Sequence, residues 1–318
     1  MGSELRVAVV VNSRTSVSER LRGHVLARLR ESASVVAELV TSGGPSDGER
    51  LAQLSSSHEP DVLVAAGGDG TVSLALRALL DAKCAKRTAL AILPLGTGNN
   101  AARSFGLRAL RDGADAVALA IRAIVAGPRR AIDIGLLDGR PFLGSVAIGM
   151  DADVLALRNR LHQRVAGLGL DAGYALYLAA SLGSLLSQHG GPARLTLDGE
   201  TERLDLFGLC VVNAPVYAGP IRFDAANDCA DGLLDVLALR SGREYVAEYA
   251  SGWLRYLRAG SGAAVAPTPR LRRAREIRVD FERPVAAQAD GEWLGVAASY
   301  RIAVLPGGLR LCLPDPQQ

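Results

Sequence analysis

Residues 61–80 read DVLVAAGGDGTVSLALRALL, an apolar run that enters three glycines around a single acid, Asp69, and leaves through a threonine. Glycines at 67, 68 and 70 tolerate positive φ and let another group come close to the backbone. A strand, a glycine turn and a helix start aim backbone N–H groups and the positive helix end at one point, which suits a phosphate. A tight strand-to-helix turn with Asp69 as its cap explains the same residues, and the stretch alone does not decide. It is not a Walker A loop, because no Gly-Lys-Ser/Thr follows.

A second turn of the same kind lies about 25 residues on, in AILPLGTGNNAARSFGL. Here a strand runs into Pro94, Gly96, Thr97 and Gly98, and two asparagines, Asn99 and Asn100, begin a helix. Two glycine turns at the carboxyl ends of successive parallel strands belong at the crevice where open α/β sheets bind ligands, and together they favour phosphate. Acids recur further along the chain, in NDCADGLLDV (Asp228, Asp231, Asp235) and ADGEW (Asp290, Glu292). By residue type alone these are turn acids, with Gly232 giving a bend and Asp290-Gly291 a hairpin carrying exposed carboxylates. The four histidines show no ligand spacing, and the four cysteines include no CxxC pair.

The elements that must carry these loops follow from periodicity. RVAVVVN (6–12), SVVAELV, DVLVAAG and TALAILPL are short, Val- and Leu-rich and unbroken, as strands buried on both faces are. Between them SERLRGHVLARLRES and SDGERLAQLSS have helical spacing, the latter with Ser46 as N-cap. After the first glycine turn Val72, Ala75, Leu76, Leu79 and Leu80 form one apolar helix face. This alternation predicts a doubly wound α/β domain with a parallel sheet. Beyond residue 128 the pattern changes to short alternating strands with Asp-Gly turns, which predicts a mainly antiparallel, β-rich second domain. The expected division is residues 1–128 and 129–299, with a tail from about 300 to 318 packing back on the first domain. AGSGAAVAPTPR (259–270) reads as a flexible loop.

Composition narrows the class. With 318 residues, 49% apolar and 22% charged, the chain is globular. A net charge of +3 is too small to argue for nucleic acid, though it suits an anionic substrate or a membrane surface. No segment reaches the ~20 apolar residues of a membrane span. Scattered cysteines and the lack of a signal-like N-terminus lead us to expect a soluble, cytoplasmic protein.

Taken in order, GGDGT, PLGTGNNAARSFG, FLGSVAIGMDADV, CADGLLDV and ADGEW resemble the catalytic domain of the diacylglycerol kinase family, which includes bacterial lipid kinases and sphingosine and ceramide kinases. VVNSRTS stands where that family has an Asn-Pro strand end, so the set spans residues 6 to about 295. GGDGT alone is shared with NAD kinases and phosphofructokinases. The resemblance implies transfer of the γ-phosphoryl group of ATP to a lipid hydroxyl, with Mg²⁺ as cofactor. It implies nucleotide contacts at Asn12, Thr41, Gly67, Gly68, Asp69, Gly70, Thr71, Val72, Ser73, Gly96, Thr97 and Asn99. Backbone N–H groups would then replace the missing lysine, with Mg²⁺ supplying most of the positive charge and Asp69 facing the cation or its waters.

The same resemblance makes Glu292 the general base and Asp69 the second catalytic acid, and it has Asp231 ligate a structural metal with the carbonyls of Asp228 and Leu233. One departure stands out: the family commonly has Asp where this chain has Asn100, so cation affinity there should be lower. For partners it implies a lipid acceptor met at the membrane surface; a homodimer is compatible with it. The uncharged stretch 172–188, GPRR and RLRRAREIR suggest a lipid-entry surface, against a core helix with solvated strand edges. Two rival functions are a NAD-kinase-like enzyme with a soluble acceptor and a nucleotide-binding protein of weak catalysis.

Overall fold

The computed structural model describes residues 4–13, 19–166, 190–217, 221–224, 227–259 and 268–315. The stretch 172–188 and most of the loop 259–270 lie outside the described residues. The chain divides into two compact units, Met1–Ile134 with Leu305–Gln318, and Gly135–Val304.

The first unit is built on four parallel strands, β1 (Arg6–Asn12), β2 (Ser34–Thr41), β3 (Val62–Gly67) and β4 (Ala89–Pro94). Every residue of β3 and β4 is buried, as the unbroken apolar runs predict for strands covered on both faces. The order is β2-β1-β3-β4, and Leu311 pairs in parallel with Leu90 at the far edge. The chain moves outward from β1 to β2, then returns across β1 to β3 and β4. Right-handed crossovers therefore put α1 (Glu19–Ser32) on one face, and α2 (Asp47–His58) and α3 (Asp69–Asp81) on the other. The contacts agree: α2 packs on α3, and α1 packs on α5 (Ala114–Val125), which follows the short α4 (Asn100–Ser104). Direction reverses between β1 and β3, the topological switch point of this sheet.

Ser46 does not cap α2 through its side chain. The turn is closed instead by Asp47, whose carboxylate accepts the N–H groups of Ser42 (3.1 Å) and Gly43 (2.9 Å) and the Ser42 hydroxyl (2.9 Å). Burial opposes the charge, but these donors outweigh it and hold the Asp47 carboxyl below its ordinary range.

The second unit is antiparallel. In it β12 (Arg272–Ala274), β11 (Leu234–Leu239), β10 (Gly208–Val212), β7 (Ser145–Gly149) and β13 (Glu276–Ala289) lie side by side. β13 also pairs with β8 (Gly191–Leu197) and with β14 (Glu292–Cys312), whose residues from Leu305 belong to the first unit. Asp-Gly turns close three hairpins, at 138–139, 198–199 and 290–291, and in each both residues have positive φ, as type I′ turns require. Alternation then sorts the strands' residues. Val146, Ile148, Leu209 and Val211 face a core shared with Leu195, Val279 and Ile302. Their neighbours Ala147, Cys210 and Val212 face a second core formed with α6 (Met150–Ala166) and α7 (Gly242–Ala259).

An acid sits in that second core. Asp151 is 5% exposed and accepts from the hydroxyls of Tyr245 (2.8 Å) and Tyr249 and from the Cys210 thiol (3.4 Å). Burial, opposed by those hydroxyls, lifts its carboxyl above the ordinary value of 3.8. A raised folded-state pKa means that the fold binds the proton more tightly than the unfolded chain does. Its contribution to stability therefore falls as pH rises from the ordinary carboxyl range through the raised value. Asp151→Asn keeps an oxygen acceptor and removes the titration. Urea unfolding between roughly pH 4 and 8 should show the stability difference moving in the variant's favour as pH rises. A difference independent of pH would rule this out.

Candidate functional site

The carboxyl ends of the four parallel strands lie level: Asn12 is in register with Thr41, Val11 with Ala66, and Gly67 with Pro94. Around the switch point the Asn12 amide donates to the Thr71 hydroxyl (3.3 Å), and the Thr41 hydroxyl accepts the N–H of Ser13 (3.4 Å). The two glycine turns touch each other through backbone. Leu95 N–H donates to the Gly67 carbonyl (3.0 Å), and a Cβ on Gly96 would stand 2.4 Å from Gly68 Cα. On Gly67 a Cβ would collide with Thr71, at 2.1 Å from its hydroxyl oxygen. A Cβ at Gly96 would force the two loops apart, and one at Gly67 would force Thr71 aside.

Asn99 is buried and folds its own turn, accepting the Gly96 N–H (3.0 Å) and donating to the Gly96 carbonyl (2.7 Å). Asp69 Oδ1 accepts the Ala101 N–H (3.0 Å) at the start of α4, while Oδ2 faces Gly98 with the Asn100 amide beyond it. The capping role weighed for Asp69 is thus real, but it uses one oxygen and acts on α4 rather than α3. Thr71 and Val72 both turn their N–H groups back to the Gly68 carbonyl. That leaves the N–H groups of Asp69 and Gly70 as first-turn donors of α3 with no partner inside the helix. Gly70 is exposed, and a Cβ there would meet nothing. Val72 and Ser73 are buried, whereas Thr97 is exposed at the tip of its loop. Twelve residues expected around a nucleotide thus fall on one edge of one sheet.

The other expected residues lie in the second unit. The Asp290-Gly291 turn is the hairpin read from the sequence, but Asp290 is not an exposed acid. Its carboxylate accepts three successive N–H groups, those of Leu143 (2.7 Å), Gly144 (2.8 Å) and Ser145 (2.9 Å). Glu292, half-buried beside it, accepts from Arg140 Nη2 at 2.7 Å. Asp228 Oδ1 accepts the Ala230 N–H (3.1 Å) and Asp231 Oδ1 the Leu233 N–H (2.9 Å), with Gly232 at φ 74° making the bend. Arg273 spans the acids of this region, at 3.0 Å from Asp224, 3.0 Å from Asp235 and 3.7 Å from Asp231. Burial raises the Asp235 carboxyl, while Asn227 and Arg273 hold it down.

Residues 6–137 match the diacylglycerol kinase catalytic domain. Residues 144–313, more than half of the chain, match the YegS C-terminal NAD kinase beta sandwich-like domain. The chain belongs to the YegS-like, diacylglycerol kinase family. Within this family, a protein named "Probable lipid kinase YegS-like" from Pseudomonas fluorescens is 28% identical over 313 residues, covering 98% of this chain and 97% of its own. The protein named "Diacylglycerol kinase" of Mycobacterium tuberculosis H37Rv is 31% identical over 242 residues, 71% of this chain and 73% of that one. A solved structure titled a diacylglycerol kinase, from Bacillus anthracis, shares the fold with a TM-score of 0.71 at 19% identity, covering 100% of this chain and 99% of its own.

The donor set bears on Mg²⁺, the cation this kinase family implies. Mg²⁺ keeps several waters and takes one or two carboxylates together with substrate phosphates, so the single carboxylate Asp69, with Oδ2 turned to Gly98, fits it. The 228–233 loop differs, because the cation that faces Asp231 is a guanidinium, and a metal would have to share the carboxylate with it. Among the described residues no three His, Cys, Asp or Glu side chains gather as metal ligands.

Arg140, Arg103 (3.1 Å from the Gly98 carbonyl) and Arg273 were not singled out from the sequence. Arginines 152 and 38 residues from their partners leave no local pattern; only the basic run RLRRAREIR held a sign of Arg273. Because backbone meets backbone at Gly96, Gly96→Ala should destabilise the protein by about 1–3 kcal/mol. Gly70→Ala should leave stability unchanged or slightly raised and weaken ATP binding, since the added methyl meets only an incoming ligand. Thermal unfolding and calorimetric ATP titration of both variants check the pair, and equal behaviour of the two would refute this account of the loops.

Proposed function

We propose that the protein transfers the γ-phosphoryl group of ATP to the hydroxyl of a diacylglycerol-like lipid. The observation that carries the nucleotide half is the edge of the parallel sheet. There the first N–H groups of α3 point out beside Gly70, whose lack of a side chain answers to nothing in the chain's own packing. Asn12, Thr41 and Thr71 ring the same switch point. The lipid half rests on family membership and on the names of the relatives, lipid kinase and diacylglycerol kinase.

In this reading the chain does little covalent work, as phosphoryl transfer asks mainly for placement and charge neutralisation. Backbone N–H groups of residues 69 and 70 hold phosphate oxygens, with Asn99 and Asp69 fixing the second loop against the first. Mg²⁺, when bound, neutralises phosphate charge and takes the electrostatic part that a lysine has in Walker A loops. Glu292 accepts the proton of the attacking hydroxyl, and Arg140 at 2.7 Å orients its carboxylate. Asp231 with the carbonyls of Asp228 and Leu233 is proposed as a cation-binding loop of lower affinity, given the competing Arg273.

A labelled-ATP assay over diacylglycerol, phosphatidylglycerol, a sphingoid base and NAD tests the reading, with Glu292→Gln as control. Transfer to a lipid, reduced at least 100-fold in kcat by the substitution, is the expected result; transfer to NAD alone would overturn it. Asn100→Asp adds a carboxylate next to Asp69 and should lower the magnesium concentration needed for half-maximal activity several-fold. An unchanged magnesium requirement would show that position 100 does not serve the cation.

A further inference from the structure

Three aspartates of the second unit surround one arginine. β12 pairs with β11 so that Arg273 stands directly opposite Asp235. From there its guanidinium spreads over the acids, with Nε 3.0 Å from Asp235 Oδ1, Nη2 3.0 Å from Asp224 Oδ2 and Nη1 3.7 Å from Asp231 Oδ2. Asp224 and Asp235 are both 5% exposed, whereas Asp231 stands nearer the surface. The Asn227 amide meets the other oxygen of Asp235 at 2.8 Å. Carboxylates taken so far out of water need positive or hydrogen-bonding partners inside the fold. A hard divalent cation is one such partner, and it would draw carboxylate oxygens to within about 2.0–2.6 Å of one point. The acids here do not converge in that way. Among the described residues no three of them gather as metal ligands, and each of the three aspartates meets a different nitrogen of the planar fork.

We propose that the Arg273 guanidinium takes the part of a structural divalent cation here, so that Asp224, Asp231 and Asp235 are held together without a metal. Its position carries the idea. β12 is a three-residue strand at one end of the sheet order, paired with β11 at residues 272–274. The ion pairs of Arg273 tie this short strand to β11 through Asp235 and to a separate segment through Asp224. Asp231 has one oxygen on the Leu233 N–H at 2.9 Å and the other toward Arg273, so a metal would enter a carboxylate already engaged on both sides. The low cation affinity proposed above for this loop then has a cause: a guanidinium carried by the chain needs no free ion and does not dissociate. Methionine at position 273 would keep an unbranched stem and remove the charge, leaving room in which a divalent cation could bridge the same acids. Neither ATP nor lipid enters the test, so its result stands apart from the kinase reading.

Thermal unfolding of the full-length protein is followed in EDTA, in Mg²⁺ and in Ca²⁺, each cation at about 10 mM. Wild type and Asp231→Asn should respond to the cations alike, to within about 1 °C. Arg273→Met should unfold about 5 °C or more below wild type in EDTA, because it takes the guanidinium from Asp224 and Asp235. One of the two cations should restore roughly half of that loss or more, and adding Asp231→Asn to the Met variant should abolish the recovery. Arg273→Lys keeps the charge but not the fork, and should fall between wild type and Arg273→Met. A wild-type midpoint raised several degrees by a cation, where Asp231→Asn is not, overturns the proposal, since a metal is then the structural cation. That comparison holds even if Arg273→Met fails to fold. Equal midpoints of wild type and Arg273→Met in EDTA also overturn it. So does a loss that neither cation relieves, for the arginine is then an ion-pair partner that no metal can replace.

Discussion

The close approach of Gly68 and Gly96 governs the first unit. Backbone meets backbone here because Gly96 has no side chain: a Cβ on Gly96 would come within 2.4 Å of Gly68, and one on Gly68 would be tight at 3.2 Å from Gly96. Once that contact is made, the rest of the edge is fixed in turn. Leu95 N–H locks to the Gly67 carbonyl, Asn99 closes its own loop, and Asp69 reaches across to the first turn of α4. The first N–H donors of α3 are thereby held in place by the chain's own contacts. Under the proposed function, donors preorganised in this way would need no rearrangement as charge develops and would take the place of a mobile lysine.

Among the described residues, several aspartates serve backbone N–H groups. Asp47, Asp198 and Asp290 each accept two or three of them, and each closes a turn that the strands on either side depend on. Such bonds are charge-assisted and stronger than neutral ones, so they can hold loops that lack apolar contacts. The consequence for chemistry is a sorting of acids. Asp290 spends both oxygens on residues 143–145, whereas its neighbour Glu292 faces a guanidinium. Two acids separated by one glycine therefore have different duties: the first builds the platform on which the second stands.

Most of the architecture was legible in the sequence. Unbroken Val and Leu runs marked the buried parallel strands, alternation and Asp-Gly pairs marked the antiparallel unit, and the glycine turns fell where the strand ends meet. Local chemistry fixes these features, so a short window contains the signal. What was not legible depends on distant partners. Arg273 lies 38 residues from Asp235 and 49 from Asp224, and Arg140 lies 152 from Glu292. Ser46 had the residue type of a cap but not the conformation; its φ and ψ are helical, so the neighbouring acid took the task. A cap needs an extended backbone as well as a suitable oxygen.

The exposed stripe on α7 follows from the buried acid. Asp151 has to be hydrogen-bonded in the second unit's core, and two of its donors are tyrosines one helical turn apart. Their rings stack at a centroid distance of 4.0 Å, which sets the rotation of the helix about its axis. With the polar tyrosine tips and Glu248 turned inward, the apolar side chains have only the outer side left. Leaving them in water forgoes about 1.5–3 kcal/mol for each large side chain that could be buried. A fold that accepts this loss at Val246, Trp253, Leu254 and Leu257 together has the rotation of α7 fixed from inside.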